Sequence, residues 1–414
     1  MGRSGEHSSQ AVILSEAKSD FGTPMGSIGP QKSGNPGSSL ATELRGSFVV
    51  PIRSGLLRMT GRWVVYRYGK VLHRGHRMKI NAQDRTALLG IIERFPRQRI
   101  IMLGDLVADE YVYGEIARVS REAPVLILKQ REKQVTPGGG ANAANNLAEL
   151  GARVSLAGVV GDDEAGDALL RYFQQRGVST RHVVRLTGCP TPTKSRILGA
   201  LSHWQPQQIV RVDREPAQRW SREIRGRLTR RVLSQARHAS ALLVSDYGYG
   251  ATDAREVEYI IRHRGRGPWP VAVDSRYDLL TFNNVTTATP NEPEVEAAFG
   301  RTIGHDLDRL HDLGRKLLRR QGFQALLVTR GRDGMVLFEP RRPPRHLPIF
   351  GSNQALDVTG AGDTVIAAYT LALGAGASFL HAAMIANCAG GLVVMKRGTA
   401  TVTAAEIKEA IRNA

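Results

Sequence analysis

The sequence predicts an α/β protein of three layers: a mainly parallel central sheet, helices on both of its faces, and a small second β-sheet beside it. Three observations predict this. Short apolar runs at 100–103, 154–157, 241–244, 271–273 and 326–328 are separated by amphipathic segments at about 163–176, 219–236, 252–264, 291–299 and 305–321. Strands joined through helices form parallel sheets, and such sheets are covered on both faces. Polar residues fall at the ends of these runs, namely Asp105, Asp246, Asp274, Asn291 and Thr329. In open α/β sheets ligands gather at those carboxyl ends. Finally, four extended pieces at 125–128, 130–136, 193–198 and 208–212 break the alternation without a helix of their own. Together they predict a small sheet that could act as a lid and exclude water from a site at the strand ends.

Taken in order, the chain opens with residues 1–45, which are rich in Gly, Ser and Pro and show no apolar period. This leader is expected to be disordered. Residues 46–98 form a basic extension with extended pieces at 47–50 and 63–66, followed by a lead-in helix capped by Asn81 or Asp84. Met78 directly precedes that helix and is a candidate start of translation, a functional basic tail being the alternative. Residues 99–414 are expected to be one domain, with the lid drawn from about 111–137 and 181–213.

Composition narrows the function classes. The net charge is +19, from 57 Lys and Arg against 38 Asp and Glu. Such a balance suits anionic partners: nucleic acid, a membrane surface or phosphorylated small molecules. No Lys/Arg run is interleaved with aromatic residues, which disfavours nucleic acid. Cys189 and Cys388 are the only cysteines and lack metal-ligand spacing, pointing to a reducing compartment, the cytoplasm. The apolar stretch 11–14 is too short for an export signal. The Ala/Leu/Val-rich region 365–395 is divided by Gly374, Gly376, Ser378 and His381 into two ordinary helices rather than a membrane span.

Two glycine-rich stretches carry the chemistry. In the later one, Asp357-Val358-Thr359-Gly360-Ala361-Gly362-Asp363-Thr364 precedes an apolar helical run. Small residues let backbone N–H groups approach a ligand, and a helix N-terminus favours negative charge. Asp363, in the first turn, is placed to act as a general base for a hydroxyl attacking a phosphoryl group. The same residues also read as a loop closed by Gly and a helix capped by Asp. In the earlier stretch, Pro137-Gly138-Gly139-Gly140-Ala141-Asn142 opens a helix that runs to Leu150-Gly151. It nominally matches the dinucleotide pattern G-x-G-x-x-A, but residues 132–137 before it are too polar for the buried strand that pattern needs. There is no G-x-x-x-x-G-K-[ST] loop.

The two motifs in this order, with Asn142 and Asn145, resemble the ribokinase (PfkB) family of sugar kinases from about residue 99 onward. Within that family the segments 104–114, 118–125, 245–248 and 398–402 are most similar to D-glycero-β-D-manno-heptose-7-phosphate kinases. The resemblance implies a ribokinase-like fold and ATP- and Mg2+-dependent phosphorylation of a sugar phosphate, giving the heptose 1,7-bisphosphate of the ADP-heptose (lipopolysaccharide core) route. By the same resemblance, Asp363 is the base, and Gly360, Ala361 and Gly362 present N–H groups to the transferring phosphoryl. Asp105, Asp109, Gly138, Gly139, Gly140, Asn142 and Asp246 fall on the sugar side. Asn291 and Glu294 match an N-x-x-E element that organises Mg2+ through water, and they read equally as a helix cap. Thr329, Gly331 and Asn387 match nucleotide-side positions. Asp357 and Thr359 match a loop that holds a monovalent cation such as K+ in some members, an assignment left open here. In relatives the lids often pair across a homodimer.

The chain departs from its relatives in two places: Tyr249 and Arg276 stand where similar heptose kinases carry lysines. Lys194, Arg196 and Arg276 are candidates to face an acceptor phosphate, and each reads equally as a solvated surface cation. A kinase of another sugar or nucleoside is the alternative function. A non-catalytic sugar-sensing or nucleic-acid-binding protein is the alternative from another class.

Overall fold

The computed structural model describes residues 58–59, 62–63, 78–200, 205–265, 269–352 and 354–414. The expected leader, the strand at 47–50 and most of that at 63–66 lie outside the described residues. The chain divides into two units, Met1–Val71 and Leu72–Ala414. In the first, β1 (Arg58–Met59) and β2 (Arg62–Trp63) pair antiparallel.

The second unit begins with α1 (Ala82–Ile92), whose N-cap is Asn81: its side chain accepts the Asp84 N–H at 2.8 Å. Leu88, Ile91 and Ile92 of this helix are buried, as are Met78 and Ile80 ahead of it. The lead-in helix is therefore part of the core of this unit rather than an appendage.

There follow β3 (Arg99–Gly104), β4 (Leu106–Val119), β5 (Leu126–Gly139) and α2 (Gly140–Glu149). Next come β6 (Arg153–Ala157), β7 (Val159–Gly161), α3 (Glu164–Gln175), β8 (Val184–Leu186), β9 (Thr193–Ala200) and β10 (Gln207–Arg214). The chain continues through α4 (Arg222–Gln235), β11 (Ala241–Asp246), α5 (Ala254–His263), β12 (Val271–Ser275), β13 (Thr287–Ala288), α6 (Glu292–Phe299) and α7 (Leu307–Gln321). It closes with β14 (Ala325–Thr329), β15 (Met335–Phe338), β16 (Arg345–Leu347), α8 (Ala361–Gly374), α9 (Phe379–Val393) and α10 (Ala404–Arg412).

Eight strands form the central sheet in the order β16-β15-β14-β13-β12-β11-β3-β6. The six from β14 to β6 run parallel, and β15 and β16 fold back antiparallel at one edge. The period of two along each strand explains how the sheet is covered. In β3, Ile100 and Met102 join one core with α1, α2, α8 and α9, while Ile101 and Leu103 join a second core with α4, α5 and α7. β11 divides the same way, Ala241 and Leu243 against Leu242 and Val244. Each strand is thus apolar on both faces, which makes its sequence read as a continuous run. The architecture is the ribokinase-like three-layer α/β/α fold.

A separate four-stranded sheet, β10-β9-β4-β5, stands beside the main one. Here the sequence reading needs correction. The pieces at 125–128 and 130–136 belong to one strand, β5, and the missing partner is β4, which continues from the core strand β3 after one residue. Residues 106–119 hide their strand character because the burial changes along their length, from fully buried at Leu106–Ala108 to exposed at Val119. The short strands β13, β15 and β16 also escape the sequence reading. β13 has two residues, too few for any periodicity to register.

Candidate active site

From β3 the chain first adds β6 on one side of the sheet and later β11 on the other, so the strand order switches between β3 and β11. The carboxyl ends at such a switch point open into a crevice. The crevice is held in shape by Asp105, which follows β3. Its carboxylate is buried and accepts the N–H groups of Tyr247 (2.9 Å), Tyr249 (3.0 Å) and Ala251 (2.9 Å) in the loop after β11. Burial pushes its pKa up to about 6 against those three bonds. Three of the roughly four acceptor sites of the carboxylate are thereby engaged, so Asp105 shapes the 247–251 loop. Asp246 behaves similarly: it accepts from Ser275 Oγ (2.8 Å) and the Gly248 N–H (3.0 Å), tying the end of β11 to the end of β12.

Asp363 occupies the first turn of α8 behind Gly360, whose φ of +75° is a left-handed conformation suited to glycine. A Cβ on Gly360 would lie 2.6 Å from Asn142 Nδ2. The Asp363 carboxylate is 5% exposed and held at both oxygens: Asn142 donates to Oδ2 at 2.8 Å and the Tyr247 hydroxyl to Oδ1 at 3.0 Å. Burial raises its pKa to about 7, against the opposing pull of these two donors. A carboxylate that titrates near neutrality is matched to accepting and releasing a proton there. The N–H groups of Gly362 and Asp363 have no acceptor among the described residues and face the open end of the helix, where an anion is favoured.

Asn142 is fixed in turn. Asn146, one turn further along α2, donates to the Asn142 backbone oxygen (2.9 Å) and side-chain oxygen (3.3 Å), and accepts from the Thr364 hydroxyl (2.8 Å). A closed set of buried side chains, Asn142, Asn146, Asp363 and Thr364, therefore joins the two glycine-rich motifs, which lie more than two hundred residues apart. The glycines allow the approach. A Cβ on Gly138 would fall 2.6 Å from the Asp109 carboxyl carbon, on Gly139 2.8 Å from Val107, and on Gly140 2.4 Å from Met102.

The small sheet supplies the charged wall. Asp109 of β4 lies opposite Lys194 of β9, which lies opposite Asp213 of β10. Two residues along, Tyr111, Arg196 and Arg211 form the next row of the same face. Arg196 pairs with Asp109 at 2.8 Å and lies over the Tyr111 ring at 5.3 Å. Lys194 is held more loosely, 3.7 Å from Asp213 and 3.4 Å from the Tyr249 hydroxyl. That hydroxyl donates to Glu215 at 2.8 Å. Arg276, beyond β12, has no carboxylate within 4 Å among the described residues, although its charge lowers the pKa of both Asp363 and Glu294. Apart from Tyr111, these groups line a cleft of about 570 Å3 with Gly139, Tyr247, Thr359, Gly360 and Asp363.

Asn291 and Glu294 form a capping box on α6: Asn291 Oδ1 accepts the Glu294 N–H at 2.8 Å, and Glu294 Oε2 accepts the Asn291 N–H at 2.9 Å. The cap still leaves Glu294 with a second oxygen. Burial raises the Glu294 pKa, and burial followed by the Glu294 charge raises that of Asp274 well above the carboxylate range. Two partly buried carboxylates in one another's field, with oxygen donors only, fit a hydrated Mg2+.

The remaining expected positions do not enter the cleft. Thr329 bridges to Asn291 at the end of β14, with Gly331 just beyond it. Asn387 is buried and donates to the Pro348 carbonyl at 2.7 Å, with the Met78 sulfur at 3.5 Å. Asp357 accepts the N–H groups of Thr359 and Gly398, both at 2.9 Å, and pins the glycine-rich loop to the 398 turn. Tyr247, Asp274, Asn146 and Thr364 are residues that motif reading passes over. Asp274 is marked in the sequence only by its place at a strand end, and Tyr247 only by lying in the segment 245–248.

Comparison with known proteins agrees with this geometry. The profile described as "pfkB family carbohydrate kinase" matches residues 99–406. The chain is 37% identical over 329 residues to the bifunctional protein HldE of Pelobacter propionicus, covering 79% of this chain and 66% of that one. It is 38% identical over 319 residues to HldE of Shewanella amazonensis, covering 77% and 64%. It thus spans just under two thirds of the length of these curated relatives. Among solved structures, Arabidopsis thaliana ribokinase complexed with ribose and ATP superposes with a TM-score of 0.58 at 20% identity, over 76% of this chain and 98% of that one. The tetrameric inhibited form of Escherichia coli phosphofructokinase-2 gives 0.62 at 17%, again over 76% and 98%. No described helix is long and apolar enough to cross a membrane.

Proposed function

Because the chain belongs to the pfkB family of carbohydrate kinases, we propose that it transfers the terminal phosphoryl group of ATP to a hydroxyl of a sugar phosphate, with D-glycero-β-D-manno-heptose 7-phosphate as the leading acceptor. The observation that carries this reading is Asp363, a buried carboxylate titrating near 7 at the N-terminus of α8, on the wall of a cleft lined by cations. Asp363 takes the proton of the attacking hydroxyl, and the free N–H groups of the first turn of α8 meet the phosphoryl oxygens as charge moves onto them. Asn142 and Tyr247 hold the base in position. Asp274 and Glu294 would hold Mg2+ through water, and that ion would screen the phosphate charges during transfer.

A phosphorylated acceptor is supported by the cations opposite Asp363. Arg276 has no carboxylate within 4 Å among the described residues, and Lys194 is only loosely paired, 3.7 Å from Asp213. Tyr249 replaces a lysine of similar heptose kinases, and the Lys194 ammonium reaches to 3.4 Å from its hydroxyl, so the lost charge is supplied from the neighbouring sheet. The heptose itself is supported by the resemblance of residues 104–114 and 118–125 and by 37–38% identity to HldE proteins. The test is ATP turnover against a panel of sugars and sugar phosphates, with Asp363→Asn as control. Preference for the heptose phosphate is the expected result. Preference for an unphosphorylated sugar would overturn the acceptor, and turnover undiminished in the control would overturn the site.

A further inference from the structure

The net charge is +19, and one cluster of arginines outside the cleft stands without matching carboxylates. Helix α4 carries Arg227, Arg230, Arg231 and Ser234, spaced at i, i+3, i+4 and i+7, which puts them on one face. The opposite face, with Leu228, Thr229 and Val232, is buried. With His182 from the turn before β8, the four residues line a groove of about 290 Å3. Arginines elsewhere in the unit are commonly matched: Arg225 on the same helix lies near Asp253 and Glu256, and Arg185 pairs with Asp162 and Asp167. Arg227, Arg230 and Arg231 have no carboxylate within 4 Å among the described residues. The groove is also preformed, because Arg231 Nη1 donates to the backbone oxygens of His182 (3.2 Å) and Val183 (2.9 Å) and clamps the turn against the helix.

Like charges held together on a helix face repel one another, and a bound anion removes the repulsion. We propose that the α4 groove is a binding site for a small phosphate-class oxyanion, engaged by Arg227, Arg230 and Arg231 with His182 and Ser234 as hydrogen-bonding partners. Arginine is the side chain best shaped to grip such an anion at two points. His182 reports on the site. Its pKa lies below the usual value through burial and through the charges of Arg231 and Arg181, the groups that face it. An anion would reverse the electrostatic part of that shift, so binding should raise the His182 pKa and should tighten as pH falls through it.

The experiment follows the His182 ring resonance of the full-length protein, identified by its loss in His182→Gln, as inorganic pyrophosphate is added at constant ionic strength. A local reporter is needed because pyrophosphate can also enter the active-site cleft. The expected result is a saturable change with a rise of roughly one pH unit in the His182 pKa. It should be absent from Arg227→Ala/Arg230→Ala, which should keep wild-type turnover because both residues lie outside the cleft. A response that survives in that variant would overturn the proposal. So would a response of equal size to sodium chloride, which would mean screening only, or no response at all.

Discussion

The hydroxyl of Tyr247 should set the pH at which the base works. Tyr247→Phe keeps the ring and removes the donor that lies 3.0 Å from Asp363 Oδ1. A hydrogen bond to a charged group contributes about 1.5–3 kcal/mol, and about 1.4 kcal/mol corresponds to one pKa unit, so its loss should raise the Asp363 pKa by roughly one to two units. Starting from about 7, the carboxyl would then titrate at roughly 8 to 9. The base acts in its ionised form, so the ionised share at neutrality falls from about one half to between about a tenth and a hundredth. kcat/KM at neutral pH should therefore fall roughly 5- to 50-fold and recover as pH is raised past the new value. The assay is kcat/KM for the sugar phosphate across pH, by coupled detection of ADP, in wild type and variant. An acid limb that stays in place, or a loss of equal proportion at every pH, would refute the claim that Tyr247 tunes Asp363.

Three further outcomes are expected. Asp363→Asn should lower kcat by roughly two to four orders of magnitude, the usual contribution of a general base. The same variant tests the buried charge. Asp363 titrates at about 7 when folded against 3.8 otherwise, so between those values the folded state holds the extra proton and stability falls as pH rises. The uncharged variant should escape that fall, melting above wild type in mild alkali with the difference vanishing toward the unperturbed carboxylate pKa; a difference independent of pH would contradict the linkage. Arg276→Ala should raise KM for a phosphorylated sugar far more than KM for ATP, and equal small effects would point to an unphosphorylated acceptor. Finally, the small sheet exposes Val119, Val125, Leu126, Ile209, Val210 and Val212, an edge and face suited to pairing with a second copy. Sedimentation at micromolar protein should show a homodimer that Leu126→Lys weakens, and a monomeric wild type would contradict it.

Five of the eight strands of the central sheet were legible because they stand out as apolar runs between amphipathic helices, whereas β13, β15 and β16 were not. The small sheet was only half legible. β5 carries Lys129, Arg131 and Lys133 among Leu126, Leu128 and Val135, and that broken pattern reads as two pieces rather than one strand of fourteen residues. β4 changes from buried to exposed along its length and so obeys no single rule. Residues assigned by resemblance sort themselves only in three dimensions. Asp105 and Asn387 are polar residues of the kind that hold ligands, yet their side chains engage backbone groups, an N–H trio in one case and the Pro348 carbonyl in the other.

What the sequence determined by itself was local: the apolar periods, the glycines at 138–140 and 360–362, and an aspartate one turn into a helix. Those features depend on residue type and near-neighbour spacing, which the chain displays directly. What only the tertiary structure decided was the state of that aspartate. Asn142 reaches it across more than two hundred residues, and Tyr247 across more than one hundred. Its pKa near 7 arises from burial between α2, α8 and the loop after β11, balanced against two donors from separate parts of the chain. Desolvation and hydrogen bonding act over a few ångströms of space, so their outcome is set by which surfaces pack together, and no stretch of sequence contains it.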